Sequence, residues 1–171
     1  MSSVQRYFHT LRHLRGSQFL ARFSSMLVNR RLSQFPELAV RSSKPLVQRP
    51  PKPDSFVAPD QIRLLGITRR LDSAAWRDES VPRLWRYQLH YFDDLCGVTA
   101  ATRVAWHRSL LERWVNENPP CTRDAWDPYP TSLRIVNWIH WTLAGNQLSD
   151  SCRRSLALQA EWLSANVEYH L

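Results

Sequence analysis

His90 beside Tyr91 in QLHYFDD, and the polar groups set among indoles in DPYPTSLRIVNWIHW (127–141), have the types and spacing to do chemistry. A His–Tyr neighbourhood can move protons near neutral pH. The second stretch offers binding. In a helix, Arg134, Asn137, Trp138 and Trp141 fall at i, i+3, i+4 and i+7, so a cation, an amide and two indoles share one ridge. Indole faces stack on sugar rings, and guanidinium and amide groups bind carboxylates and hydroxyls. Tyr129, between Pro128 and Pro130, would stand rigidly at the helix mouth, where little entropy is lost on binding. The ridge also has a plainer reading, in which the tryptophans are core, the arginine pairs with a carboxylate and the asparagine bonds loop backbone. His90 and Tyr91 suit capping or packing equally well. Asp93 and Asp94 are adjacent and cannot face one site from a helix, so they do not form a carboxylate pair.

The elements that must position these groups read as helices. Segment 84–96 allows a helical stripe of Leu84, Gln88, Tyr91 and Leu95, and also an alternating pattern of Trp85, Tyr87, Leu89 and Tyr91. Segment 100–117 is a clearer helix, closed by Asn118-Pro119-Pro120. The apolar residues of 131–144 surround the helix axis, which predicts an inner helix buried on all sides. A last helix follows Ser149-Asp150, either of which can cap it, and runs through Leu156, Leu163 and Val167 to Leu171 without a stop signal. A chain cut short is expected from that. Upstream, 42–60 holds five of the eleven prolines and reads as a linker or a strap along a surface. The expected organisation is an all-α chain: a basic helical segment at 1–41, the strap at 42–60, and a helical body at 61–171.

The 171 residues suffice for one domain with a real core. The net charge of +8 is unevenly placed. Residues 1–53 carry ten Lys and Arg against Glu37 alone, a net +9, and the remaining thirteen basic and fourteen acidic side chains leave −1. Residues 4–26 are acid-free, with Val4, Phe8, Leu11, Phe19, Phe23 and Met26 at roughly helical spacing. That profile fits an amphipathic helix packed on the body behind it, and a mitochondrial presequence would look similar. Arg or His interrupts every apolar run that could serve as a secretory signal, and no run reaches membrane-spanning length. Cys96, Cys121 and Cys152 form no zinc spacing or disulfide framework, and neither a metal nor a cofactor is called for.

Taken in order, RYFHTLRHLRGSQFLARF, LGITRRLD, LWRYQLHYFDDL, WVNENPP, WDPYPTSLRIVNWIHW and LALQAEWLSANVEYHL resemble the N-terminal part of the heparinase II/III-like polysaccharide lyases. The resemblance covers nearly the whole chain and is weakest across the strap. It implies an incomplete (α/α) toroid of paired helices, lacking the family's C-terminal antiparallel β-sheet domain. It also implies eliminative cleavage of uronic-acid polysaccharides, heparin-like or otherwise acidic, and a periplasmic or secreted setting, although the absence of a visible signal leaves the cytoplasm open. Elimination needs the uronate carboxylate neutralised so that its C5 proton becomes acidic, a Tyr or His to remove that proton, and a Tyr or His to protonate the leaving oxygen. In the family, EYHL is followed by a Gly-Asn-His stretch whose Asn does the neutralising, and the catalytic Tyr and His lie further on. Here Leu171 ends the sequence, so no catalytic residue is carried over. His90, Tyr91, Tyr129, Arg134, Asn137 and Trp138 remain as expected substrate contacts, with the missing helices and sheet domain as partners. Two other readings stay open: a helical binding module whose basic arm contacts nucleic acid or anionic membrane, and a non-catalytic glycan-binding remnant.

Overall fold

A computed structural model describes residues 50–166. The basic segment expected to be an amphipathic helix, most of the strap, and Val167 lie outside the described residues. The described chain begins with three short antiparallel strands in the order β1-β2-β3: β1 Phe56–Ala58, β2 Gln61–Leu64 and β3 Ile67–Arg70. Four helices follow: α1 Arg83–Tyr91, α2 Val104–Glu117, α3 Pro128–Leu143 and α4 Asp150–Ala165. The sheet corrects the all-α expectation, and the described helices close no ring.

The strands have a local cause. In β2, Ile62 and Leu64 point inward while Gln61 and Arg63 face solvent, the period of a half-buried strand. Leu64 pairs with Ile67, so only Leu65 and Gly66 connect β2 to β3, and both take positive φ (52° and 77°). That is the backbone a two-residue hairpin requires. Leucine seldom adopts it, and so the turn is hard to read from sequence. β1 lies within the stretch assigned to the strap, and pairing with β2 ties it to the body.

The helices differ in detail from their expected faces. α1 buries Trp85, Leu89, His90 and Tyr91, while Leu84 of the expected stripe is exposed. Phe92 ends α1 in a left-handed conformation (φ 62°), and its ring then packs edge-on against Trp138 at 5.5 Å and Trp114 at 6.3 Å. α3 starts at Pro128 rather than 131. Pro128 and Pro130 occupy its first turn, where missing N–H groups cost nothing. α3 is not buried on all sides either. Its inward face carries Pro130, Thr131, Arg134, Asn137, Trp138 and Trp141, whereas Ile139 and Leu143 are exposed. α2 turns His107, Leu110, Leu111 and Trp114 inward, and α4 is capped by Ser149, whose Oγ accepts from Cys152 N at 3.3 Å.

The core is built around tryptophan. Trp114 sits at its centre, 5.8 Å from Trp138 and 6.0 Å from Trp126 between ring centroids. Burying each such ring contributes about 1.5–3 kcal/mol. A second knot is polar. The Asp94 carboxylate accepts from the N–H groups of Ser55 (2.5 Å) and Phe56 (3.0 Å), from Arg103 Nε (3.0 Å), and pairs with His107 Nε2 (2.8 Å). One carboxylate thereby joins the start of β1 to α2. Gly97 lies against this knot, where an added Cβ would meet the Asp54 carboxylate and the Asp94 carbonyl oxygen.

Candidate functional site

The C-terminal end of α1, the start and middle of α3 and the strap residue Lys52 meet at one partly open edge. Asn137 is the hinge of the arrangement. Its amide nitrogen donates to the Tyr91 carbonyl (2.7 Å) and to Asp93 Oδ1 (2.9 Å), and its Oδ1 accepts from Lys52 Nζ at 3.2 Å. Lys52 also pairs with Asp93, and both side chains keep contact with solvent. Beside them, Tyr91 and Tyr129 meet edge to face, 5.7 Å between centroids with planes at 90°. Tyr91 is buried, and Tyr129 is 62 % exposed, so an aromatic ring steadied from below stands open at the surface.

The same edge continues one helical turn back along α1. Tyr87, at i−4 from Tyr91, donates its hydroxyl to Asp127, the residue that precedes α3. Arg83 bonds Asp127 through Nη2 and Asp124 through Nε, each at 2.8 Å, and its guanidinium lies 4.8 Å over the Tyr87 ring. Arg86 holds the other Asp124 oxygen at 2.8 Å. These ion pairs fix the approach to α3, and with it the position of Tyr129.

Proton affinities at the edge favour binding over proton transfer. Burial, then the neighbouring Tyr129 and Asp93, pushes the Tyr91 phenol up to about 12. Burial and the hydrogen bond to Asp127 push Tyr87 up to about 12 as well. Both therefore keep their protons at neutral pH more firmly than an ordinary tyrosine. His90 is enclosed in the core, stacked on Trp76 at 5.5 Å, with Nδ1 accepting from Trp114 Nε1 at 3.1 Å. Burial, then the positive Arg134, pushes it down to about 3, so its ring stays neutral.

The six residues expected to contact substrate thus divide. Tyr91, Tyr129 and Asn137 come together at the edge, with Tyr129 the open one. Arg134, Trp138 and His90 turn into the core, and the expected ridge does not present them to an open cleft. Arg134 donates to Gln159 Oε1 (2.7 Å), the Ala125 carbonyl (2.8 Å) and Thr131 Oγ1 (3.0 Å), and stacks 3.9 Å from the Trp114 ring centre. Among the described residues its guanidinium reaches no carboxylate. Burial lowers its proton affinity well below the ordinary arginine value. Asp93 and Asp94 serve opposite networks: Asp93 belongs to the edge and Asp94 to the polar knot.

Sequence reasoning did not find Lys52, Asp93, Arg83 or Asp127 at the edge. Their partners lie 41 to 85 residues away, beyond any local pattern. Only the i, i+4 spacing of Tyr87 and Tyr91 was available as a signal. Among the described residues no three His, Cys, Asp or Glu side chains are grouped to hold a metal ion. Compared with known proteins, the chain matches no family model, no curated protein and no solved structure.

Proposed function

We propose that this chain is the N-terminal part of a heparinase II/III-like polysaccharide lyase, its helices the first of an (α/α) toroid, and that it supplies part of the cleft for a uronate-containing polysaccharide. The observation that supports this reading is the edge itself: the exposed Tyr129 ring, steadied by Tyr91, beside the Lys52 ammonium and the Asn137 amide. In this reading Tyr129 stacks on a sugar ring and Lys52 attracts a uronate carboxylate away from Asp93. Asn137 holds Lys52 and Tyr91 in place, while Arg134, Trp138 and His90 act from inside by positioning α3 against α1. By the resemblance, the base and acid of the elimination lie further along the family's sequence than these residues, and the neutral, buried His90 and the proton-holding Tyr87 and Tyr91 are unsuited to be the base. The chain by itself binds and does not cleave.

Calorimetric titration with an oligouronate, and with the same oligosaccharide after carboxyl reduction, tests this. Tyr129→Ala should weaken oligouronate binding about tenfold with an unchanged melting temperature, the loss of one ring stack. Unchanged affinity in that variant would remove Tyr129 from the site. The net +9 of residues 1–53 supports a second reading, a basic arm on nucleic acid or anionic lipid. That reading requires binding of duplex DNA or anionic vesicles that falls steeply with salt and vanishes when residues 1–53 are deleted.

A further inference from the structure

Asp93 and Asp94 are neighbours in sequence and face opposite networks, and the cause is Phe92. It ends α1 with a left-handed backbone (φ 62°, ψ 37°), a conformation that a bulky residue takes only when its surroundings impose it. Its ring supplies that restraint, packed edge-on against Trp114 and Trp138. The chain thereby turns sharply, delivering Asp94 to the buried knot and Asp93 to the side of Lys52 and Asn137. Backbone strain of this kind gathers where a side chain is needed in one place.

The two aspartates differ in what can happen to them. The side chains of Asp94 and Arg103 are 3 % and 9 % exposed, so that pair is closed to a ligand. Those of Asp93 and Lys52 are 37 % and 29 % exposed, so their pair can part with both charges meeting water. Neither partner would then be left unheld. Lys52 is fixed through its backbone, its N–H donating to the Cys96 carbonyl (2.8 Å) and its carbonyl accepting from Val98 N–H (3.0 Å), and Nζ donates to Asn137 Oδ1 at 3.2 Å. Asp93 keeps the Asn137 amide N–H at 2.9 Å. An ammonium has three protons to donate, so with one held by Asn137, Lys52 can exchange one carboxylate for another. We propose that Asp93 is a built-in competitor for the ligand's carboxylate: it occupies Lys52 in the free protein and is displaced when a uronate stacked on Tyr129 brings its own carboxylate to the ammonium. This rests on the glycan-binding reading of the edge.

Displacement makes the site selective. A carboxylate fixed beside the ammonium cancels most of its field at a distance, and it competes at the high effective concentration of a tethered group. A small free carboxylate has nothing to offset that competition. A carboxylated sugar adds the ring stack on the open Tyr129, and only the two contacts together overcome Asp93. The edge therefore takes a uronate in preference to a simple organic acid, and Asp93 returns to Lys52 as the sugar leaves.

The test titrates the 171-residue chain with a glucuronate tetrasaccharide by calorimetry. Asp93→Asn, which keeps an acceptor for the Asn137 amide, should tighten binding about fivefold. The same substitution in a Lys52→Met background should bring no gain. In the unaltered protein, the NMR resonances of Lys52 Nζ and of the Asp93 carboxyl carbon, assigned from those variants, should shift together as the tetrasaccharide is added. Binding by Asp93→Asn that is equal to or weaker than the parent's would overturn the inference and leave the glycan reading in place. So would a gain that persists without Lys52, or a shift at Lys52 with Asp93 unmoved. Binding by neither the parent nor Asp93→Asn would refute both.

Discussion

Tyr129 and Arg134 lie five residues apart on one helix and have opposite fates. Tyr129 is open to solvent, and so removing its ring should alter binding alone. Arg134 is enclosed, bonded to Gln159, Thr131 and the Ala125 carbonyl, and stacked on Trp114. Arg134→Ala should lower unfolding stability by about 3 kcal/mol, through a cavity and orphaned buried acceptors, measured by urea denaturation. Unaltered stability with weakened glycan binding would put the guanidinium in a cleft after all. His90 gives the molecule a pH response. Unfolded, it takes up a proton near 6.5, and folded it stays neutral down to about 3. Its contribution is therefore complete above pH 6.5 and is lost as pH falls toward 3, by about 1.4 kcal/mol per pH unit. His90→Asn, which keeps an acceptor for the Trp114 indole, should flatten the dependence of stability on pH between 6 and 4. A slope equal to that of the parent protein would show that another group titrates.

At the scale of elements, the polar knot around Asp94 decides whether the strands and helices form one body. Burial alone would raise the Asp94 carboxyl, but His107, the Ser55 and Phe56 N–H groups and Arg103 overcome that and hold it well below the usual carboxylate range. The stabilisation it provides is present above the ordinary carboxyl value of 3.8 and is lost as pH falls below it. Asp94→Ala leaves Arg103 and two buried N–H groups without this acceptor, and should cost about 3–5 kcal/mol in a denaturant titration. What was legible in the sequence follows from the same distinction between local and distant causes. The α2 helix and the cap of α4 rest on neighbours within four residues, so periodicity and the Ser149-Asp150 pair exposed them, whereas the start of α3 is held by Arg83, Arg86 and Tyr87 from about 40 residues away. The sheet did not show itself, because its hairpin uses Leu65 rather than a usual turn residue and its strands are three or four residues long. At the edge, Tyr129 was singled out by its flanking prolines and Asn137 by helical spacing, whereas Lys52 and Asp93 arrive across 41 residues or more. The sequence left open which way Arg134 faces, because apolar residues around α3 hid which side the neighbouring helices would cover.

Across the whole molecule, charge and surface are arranged asymmetrically. The basic excess lies in residues 1–53, while the described body is nearly balanced and leaves Ile139 and Leu143 of α3 exposed. A toroid begun by these helices would leave faces for further helix pairs, and the open edge at Tyr129 would become one wall of a cleft completed by them. The 171-residue chain should then bind oligouronates without cleaving them, seen as the absence of the ultraviolet-absorbing unsaturated product. Cleavage by this chain alone would refute the placement of the base and acid beyond these residues. The most direct measurement of the central proposal is an elimination assay on the protein expressed from the complete reading frame that contains these residues. Uronate polysaccharides should accumulate unsaturated ends, with Tyr129→Ala raising KM more than it lowers kcat. No unsaturated product from any uronate polysaccharide, or hydrolysis in its place, would contradict the lyase reading.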